Sequence, residues 1–556
     1  MAPALALLLA FIRNYGSTAE RFNDMLRSLP EFYYKEILKT KGRNTVQDSA
    51  YLVVTPAGRN LFLPEGFAFT AGQNAAGEEL LYRTTRSEQL TAGRIGRICS
   101  LFTDERDGRT RLLSHEVPVS ENSEGVLLFR SRTATPVCSG WQLESRMFRF
   151  SEGRRRIGIT FCSENPVGAP MPGIDKTAFT VEASTEKGWL PCALDEVADT
   201  GRGIRFTFTT DDATGILSPC TDEVHGTATG YPCIRILTSK GNYPKALTGA
   251  WAFNHIEITV EADGIRRFRL QNELGEIDTT QPFMPLGIAG EKGSWFKFGH
   301  EETDCLPLTE VSLHIRWDKL PQTPDGYAGI YRHYEGNRLT NASFRIATSY
   351  RTAEDWIACG GSPQPLFREE DGKPAEKGRI RFTFKDRLAD TDRGRSFRAV
   401  LVSPEIGFGM EEYRRLFAEV MSWNGRNKKQ REVPRQPVLP CFAETSLSYR
   451  ATWSSREDSG LEVKLSRVTP LGDISPCRLP VSGENCPVVE DTGSDRNLYI
   501  RFAGFRSDRR IRMYADLAFL RKNIVADENS GAQENTPFPV LHWEYPDAGG
   551  WKELDA

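Results

Sequence analysis

Short runs of alternating apolar and polar residues dominate the chain beyond Asn44. Gly, Pro, Asn or Asp bounds each run, and the period of two is that of a strand with one buried face. The clearest runs are AYLVVT (50–55), LFLPEG (61–66), GVLLFRSR (125–132), RIGITF (156–161), AFTVEAS (178–184) and GIRFTFTT (203–210). Their spacing is typical of sandwiches. The pattern therefore predicts a mainly β, multidomain protein with β-sandwich-like modules in tandem.

Two stretches have helical spacing instead. From Ala4 to Leu38 apolar residues recur with a helical period, interrupted by a polar gap at 14–20 and by Pro30. This predicts an N-terminal helical segment of two helices, LALLLAFIRNY and EFYYKEIL, closed by a basic stretch and Gly42. One later helix is predicted at 410–421.

Polar stretches suggest where domains are joined. Linker-like composition occurs at 368–377 and 424–435. We predict five segments: a helical segment at 1–43, a β domain at 44–170, a β-sandwich-like domain at 171–280, a β module at 281–435 that carries the later helix, and a C-terminal β module at 436–556.

An internal repeat bears on the same organisation. A Pro-Leu-Gly turn followed by strands and a closing tryptophan occurs within 281–357 and again within 467–554. This predicts two β-rich modules of related topology. A third such ending, at Trp189, is equally well explained as a generic β-domain feature. We predict that Trp189, Trp356 and Trp551 are buried core residues.

Length and charge narrow the function. At 556 residues the chain is too long for one hydrophobic core, so several domains are expected. Lys and Arg together number 71 against 74 Asp and Glu, for a formal charge of -3. A chain this close to neutral has no excess positive field to hold a polyanion, so nucleic acid is not an expected partner.

Cysteine usage and the N-terminus bear on the compartment. The eleven cysteines occur singly, without a CxxC pair, which favours reduced and mostly buried thiols in a reducing cytoplasm. The apolar run MAPALALLLAF (1–11) is too short to span a bilayer. As a signal peptide it would lack a basic start and a small-residue cleavage site, so a buried helix is the preferred interpretation. Membrane contact is not expected.

Motifs for catalysis or ligand binding are missing from the sequence. It has no GxSxG elbow, no GxxxxGK[ST] phosphate loop, no HExxH and no EF-hand loop. The seven histidines are scattered, and none lies two or four residues from another. We therefore predict no enzyme activity: no catalytic residue, cofactor, metal site or small-molecule substrate. Distant residues that converge on one point would overturn this prediction.

Several charged clusters have a simpler explanation than chemistry. Acids flank a histidine in 222–225 and 300–302, but adjacent strand residues point to opposite faces, which favours solvated surface or turns. The acidic run at 369–371 lies in a predicted linker. The basic runs at 154–156 and 426–431 lack interleaved aromatic residues, which favours solvated turns or protein contacts.

One alternative function is kept open. Exposed tryptophans and tyrosines on β modules can bind sugars, so a β-sandwich carbohydrate-binding or adhesion protein is the rival hypothesis. It requires the closing tryptophans to stand in a row on an exposed face.

Motifs spread over nearly the whole chain resemble one family. They are LRSLPEFYYKEILKTKGR (26–43), FLPEGFAF (62–69), LQNELGEIDTTQPFMPLG (270–287), GSWFKFGHEE (293–302) and LHWEY (541–545). In this order they resemble motifs of the baseplate-J-like large wedge proteins of extracellular contractile injection systems and related phage tails. The histidine that precedes the family's FYY element is absent, and family members are longer. The resemblance thus implies a fragment or a shortened member.

What the resemblance implies is a mechanical role. Such a subunit forms a sixfold ring with other baseplate wedge subunits around the spike hub and connects it to the sheath through a sheath adaptor. The chain is then expected to assemble in the cytoplasm and to remain in the particle, including after extracellular release. The helices at 1–38 are the expected contact element, because their apolar surface is large for a free terminus.

Overall fold

The computed structural model divides the chain into two compact units, residues 1–94 with 502–514 and residues 95–501 with 515–556. The structure describes residues 3–554 except 42–45, 53, 55, 57–59, 91–92, 119–127, 130–131, 164–173, 249–250, 305, 335–337, 353–354, 385–387, 389–393, 458–460, 479–484, 491–495, 505–541 and 548–549. Strands prevail over helices, and the predicted mainly β, multidomain class with an N-terminal helical segment is confirmed.

The first unit begins with one long helix. Helix α1 runs over Pro3–Phe32, and a π-helical turn, Tyr33–Ile37, follows it. The prediction of two helices is wrong, because the polar gap contains a single glycine and helix interiors tolerate one at about 1 kcal/mol. Within that gap the Thr18 hydroxyl donates to the Asn14 carbonyl at 2.8 Å. Pro30 lies inside the helix near its end, and the wider π-turn comes three residues later.

Four short strands complete the described part of the first unit. They are β1 Leu61–Leu63, β2 Ala68–Gln73, β3 Glu79–Arg83 and β4 Glu88–Leu90. Antiparallel pairing joins β1 to β4 and β2 to β3. The strand expected from LFLPEG is β1, whereas AYLVVT forms no strand at its described residues, 50–52 and 54.

The remaining elements lie in the second unit, apart from Arg94 at the start of β5 and residues 502–503 at the end of β31. Its helices are α2 Asp222–His225, α3 Tyr327–Ile330 and α4 Met410–Arg426. Its strands are β5 Arg94–Arg106, β6 Arg109–Val117, β7 Thr135–Pro136, β8 Gly140–Ser145, β9 Arg154–Cys162, β10 Phe179–Thr185, β11 Gly188–Asp199, β12 Gly203–Thr210, β13 Cys233–Thr238, β14 Ala252–Phe253, β15 His255–Ile265, β16 Arg269–Asn272, β17 Gly275–Glu276, β18 Trp295–Gly299, β19 Leu308–Lys319, β20 Arg345–Arg351, β21 Trp356–Ala358, β22 Gln364–Pro365, β23 Glu369–Glu370, β24 Lys373–Pro374, β25 Lys377–Thr383, β26 Phe397–Ser403, β27 Cys441–Ser454, β28 Val463–Val468, β29 Ile474–Cys477, β30 Cys486–Pro487, β31 Arg496–Ala503, β32 Glu544–Asp547 and β33 Gly550–Glu553.

A twelve-stranded sheet is the largest structure of this unit. Its strand order is β25-β19-β27-β15-β9-β12-β11-β10-β13-β8-β28-β29. The ring centroids of Trp141 on β8 and Phe161 on β9 are 6.5 Å apart. In a flat sheet β8 and β9 would be separated by about 24 Å, five strand spacings. The sheet therefore curls back on itself, and both strands face one core.

A second sheet packs on the first through aromatic side chains. The order of this seven-stranded sheet is β17-β16-β18-β26-β20-β21, with β22 also paired to β20. Phe296 on β18 meets Phe442 on β27 with ring centroids 5.7 Å apart, and Phe442 also contacts Trp317 on β19 at 5.1 Å. Edge-to-face aromatic pairs of this kind add to the burial of apolar area. The two sheets thus share a continuous core.

Three tyrosines hydrogen-bond to the segments before and after α4. The hydroxyls of Tyr327, Tyr331 and Tyr334 donate to backbone carbonyls of Val438, Phe408 and Arg435 at 3.1, 2.8 and 2.7 Å. The helix predicted at 410–421 is confirmed as α4 and continues to Arg426. The predicted linker 424–435 thus starts as helix, and its end is hydrogen-bonded to the core.

The other predicted linker, 368–377, is wrong in part. Residues 369–374 form a hairpin of β23 and β24. Asp371 and Gly372 have φ values of 51° and 76°. Positive φ at both turn residues is the type I′ geometry that Asp-Gly favours, so the Asp-Gly pair was the signal that the sequence analysis overlooked.

Strand prediction succeeds where the alternation is regular. RIGITF, AFTVEAS and GIRFTFTT are confirmed as β9, β10 and β12. GVLLFRSR lies mostly outside the described residues. The twelve-stranded sheet takes strands from both sides of the boundaries placed at 170, 280 and 435. Those boundaries stay predictions, since strand pairing and independent folding are different properties.

The first copy of the predicted repeat is not self-contained. Within 281–357, β18 and β20 join the seven-stranded sheet while β19 joins the twelve-stranded one. The alternating pattern of these strands specifies that one face is buried. The strands that pair with β18, β19 and β20 to form the sheets include β16, β25, β26 and β27, which lie outside 281–357. Much of the second copy, 505–541, lies outside the described residues, so the repeat itself stays a prediction.

Candidate functional site

A buried ion pair lies where the two sheets are connected. Arg155 on β9 donates to the Glu302 carboxylate, and the two side chains are 1% and 5% exposed. Glu302 also accepts from Ser151 N at 2.9 Å and from the Tyr449 hydroxyl at 3.1 Å. The acceptor capacity of the carboxylate is thereby filled, which a buried charge requires.

This pair corrects two expectations. Arg155 belongs to the basic run predicted as a solvated turn, and Glu302 to a pair predicted as solvated. Strand alternation on β9 leaves Arg154 and Arg156 exposed and turns Arg155 inward. Glu302 lies on a single 3-10 turn at 301–303.

A second buried arginine fixes the same turn. Arg395 is 2% exposed, and its Nη1 donates to the carbonyls of Thr303 and Leu306 at 3.1 and 2.8 Å. The segment 300–307 links β18 of one sheet to β19 of the other. Arg155 and Arg395 therefore fix the crossover between the sheets, and their role is structural.

Three of the histidines make hydrogen bonds of their own. Nδ1 of His225 accepts from Thr221 N at 2.9 Å, and His225 is buried against the Trp189 ring instead of solvated as expected. Nδ1 of His300 accepts from Glu302 N at 3.2 Å. Nε2 of His314 lies 2.7 Å from the Ser448 hydroxyl. Burial lowers the pKa of His300 and of His314.

One histidine takes part in a different arrangement. Among the described residues, Cys162, His255 and Glu257 form the one group of three potential metal ligands, with ligand atoms within 4.8 Å of one another. Cys162 and His255 are buried, and Glu257 is exposed. Burial raises the pKa of the Cys162 thiol to about 12, and the charge of Glu257 adds to the rise.

Sequence analysis missed this cluster. Cys162 and His255 lie 93 positions apart, and strand pairing brings them together. A usable signal was His255-x-Glu257, because residues two apart on a strand share one face.

The cysteines follow the prediction where they are described. Seven of the ten described thiols are buried and three are half-buried, while Cys305 lies outside the described residues. A hydrogen bond from Cys233 lowers the pKa of Cys220, and one from Cys486 lowers that of Cys477.

The closing tryptophans are not the core residues that we expected. Trp189 and Trp356 are half-buried, and each has an arginine over its ring: Arg235 at 3.7 Å and Arg398 at 4.3 Å. Among the described residues Trp356 sits on an outer strand of its sheet, and the cation-π contact with Arg398 covers one face of its ring. The side chain of Trp551 lies outside the description. Trp189 and Trp356 belong to different sheets and form no row of the kind that sugar binding requires.

The N-terminal helix presents an extended apolar surface. None of its residues is buried, contrary to the expected buried helix, and Leu8, Ile12, Phe22 and Leu29 are about half exposed. Within the described part of the chain, no helix is long and apolar enough to cross a membrane. An apolar surface of this extent is characteristic of a protein interface.

Comparison with known proteins shows the kind of protein in which this exposed helix occurs. No curated protein matches the chain. The model of one family, described as "Baseplate protein PVC11-like", matches residues 1–390, which include α1 and the crossover between the sheets at 300–307. Because this match covers well over half of the 556 residues, the chain belongs to the PVC11-like family of baseplate proteins, structural components of contractile injection systems.

Proposed function

We propose that this chain is a baseplate-J-like wedge subunit that connects the spike hub to the sheath. It assembles in the cytoplasm with sibling wedge subunits and a sheath adaptor and stays in the finished particle. The observation that carries the proposal is helix α1, none of whose apolar residues is buried within the described chain.

The apolar residues of α1 follow a heptad repeat. The a and d positions are occupied in order by Leu5, Leu8, Ile12, Tyr15, Ala19, Phe22, Leu26 and Leu29. Four successive heptads of this kind are the signature of a helix that packs along another helix. At 30 residues, α1 offers a seam of about 45 Å.

Positions beside the seam suggest more than one partner helix. Leu9, Phe11, Met25 and Phe32 flank the a and d residues, so the stripe is wider than a two-stranded seam. The charged residues Arg13, Glu20, Arg21, Asp24, Arg27 and Glu31 all lie on the opposite face. This pattern supports packing into a helical bundle with sibling subunits, and such obligate interfaces are large and apolar.

Assembly with the particle tests the proposal. A tagged chain co-expressed with the complete particle gene cluster should co-sediment with sheath and spike proteins. The variant Leu8→Ser/Phe22→Ser/Leu29→Ser should be lost from particles, because it removes three residues of the seam. Leu7→Ser is the matched control, since Leu7 is 74% exposed but lies off the seam, and it should be retained.

Two results would contradict the proposal. A triple variant that enters particles at the wild-type level would show that α1 is not the contact element. A wild-type chain located by electron microscopy outside the ring around the spike hub would refute the wedge assignment while leaving the baseplate family intact.

A further inference from the structure

The pairing of β9 with β15 brings together three potential metal ligands, which the proposed role in assembly does not require. Cys162 on β9 and His255 on β15 are directly paired residues of neighbouring antiparallel strands. Glu257 follows two residues later on β15, so its side chain projects from the same face as His255. Phe161 and Ile256, one position away on each strand, are buried on the opposite, core face. Pairing alone therefore places a thiol, an imidazole and a carboxylate together.

The residue types and their separations suit zinc. Zinc binds thiolate, imidazole and carboxylate at about 2.0–2.3 Å, which puts ligand atoms of a tetrahedral site about 3.4 Å apart. The three ligand atoms here lie within 4.8 Å of one another. Glu257 is exposed and can change rotamer to close the remaining distance, while the buried Cys162 and His255 are held by the sheet.

The histidine is already oriented by a neighbour. Its Nδ1 lies 2.7 Å from Asn254 Oδ1, an atom that accepts a hydrogen bond, so Nδ1 carries the proton and Nε2 carries the lone pair. Metal-binding histidines typically donate their second ring nitrogen to such an acceptor, which fixes tautomer and ring orientation.

We propose that Cys162, His255 and Glu257 bind a zinc ion, with Asn254 as a positioning residue. A thiolate and a carboxylate supply two negative charges that balance the ion. The positive charges of Arg202 and Arg456 act on the Cys162 thiol in the direction of the thiolate, the form that binds zinc. The ion ties β9 to β15 at the ends of two central strands, and the fourth position is open to water or to a ligand from a neighbouring subunit.

Metal content and a spectroscopic probe test this site in the full-length chain. After chelation, titration with Zn²⁺ should restore about one ion per chain and raise the thermal midpoint of unfolding. Titration with Co²⁺ in its place should give thiolate-to-cobalt charge-transfer absorption, which reports the Cys162 sulfur directly. The variant Glu257→Gln changes an exposed residue, so the fold survives and the affinity for Zn²⁺ should fall by at least about tenfold.

Matched controls separate this site from adventitious binding. Glu261→Gln, on the same face of β15, and Cys359→Ser, a buried cysteine elsewhere, should bind metal as the wild type does. Asn254→Ala should weaken Zn²⁺ binding about 10- to 100-fold with the stoichiometry unchanged. Charge-transfer absorption that persists in Cys162→Ser, or Zn²⁺ affinity that is equal in the wild type and Glu257→Gln, would overturn the proposal.

Discussion

Helix α1 and strand β9 use the same kinds of apolar residue in opposite ways. Leu8 on α1 is 53% exposed, whereas Ile159 on β9 is fully buried. Both residues belong to a regular amphipathic pattern. In β9 the apolar face meets the core of its own chain, whereas in α1 no residue of the corresponding face is buried in the described structure. An amphipathic pattern thus specifies a face to be covered and leaves open whether the same chain covers it.

The largest effect on stability should come from breaking the buried ion pair between Arg155 on β9 and Glu302. In Glu302→Ala, Arg155 stays buried without its partner, and the Ser151 and Tyr449 donors lose their acceptor. We expect a loss of about 3–5 kcal/mol in the free energy of unfolding, measured by urea denaturation. The double variant Arg155→Met/Glu302→Leu should recover most of it, because no charge remains buried. A loss below about 1 kcal/mol in Glu302→Ala would show that water reaches the site.

A smaller effect is expected at the sheet edge. Arg398 lies 4.3 Å from the centre of the Trp356 ring, on the outer side of the seven-stranded sheet. Arg398→Ala should cost about 0.5–2 kcal/mol and increase the accessibility of Trp356 to fluorescence quenchers. Arg398→Lys keeps a positive charge and should therefore lower the free energy of unfolding by less than Arg398→Ala does. Unchanged quenching in Arg398→Ala would mean that other atoms cover the ring.

The next effect depends on pH. Burial raises the pKa of Glu490, and Arg467 only partly opposes the rise. Since the folded pKa exceeds the unfolded one, stability from this group is complete at low pH and is lost as pH rises through the folded pKa. Thermal midpoints of the wild type and Glu490→Gln should therefore diverge between pH 4.5 and neutrality, in favour of the variant. A pH-independent difference would contradict this.

The smallest effect on stability is expected on α1, and it tests the contrast between exposed Leu8 and buried Ile159 directly. Leu8→Ala on the exposed seam should change the free energy of unfolding by no more than about 0.5 kcal/mol. Ile159→Ala on β9 is its buried counterpart and should cost about 2–5 kcal/mol. Thermal melts of the purified chain compare the two. A large loss in Leu8→Ala would indicate that α1 is covered within the chain itself.

The candidate site was harder to predict than the elements that carry it. β9 and β12 were predicted from their alternation, and α4 from its helical period. Arg155 directly precedes a predicted strand run and was expected in a solvated turn or a protein contact, because its burial depends on a partner 147 positions away. The zinc candidate has the same origin, because Cys162 meets His255 only through the pairing of β9 with β15.

The sequence by itself determined the mainly β class, the regular strands, the later helix and the resemblance to baseplate proteins. These depend on local period and on ordered motifs, which can be recognised one segment at a time. Only the tertiary structure shows that β9 pairs with β12 and β15, that the apolar face of α1 stays exposed among the described residues, and that two arginines are buried at the sheet crossover. The physical reason is that a period of two encodes which face of a strand is buried, whereas the partner and the register are chosen by packing among many strands at once.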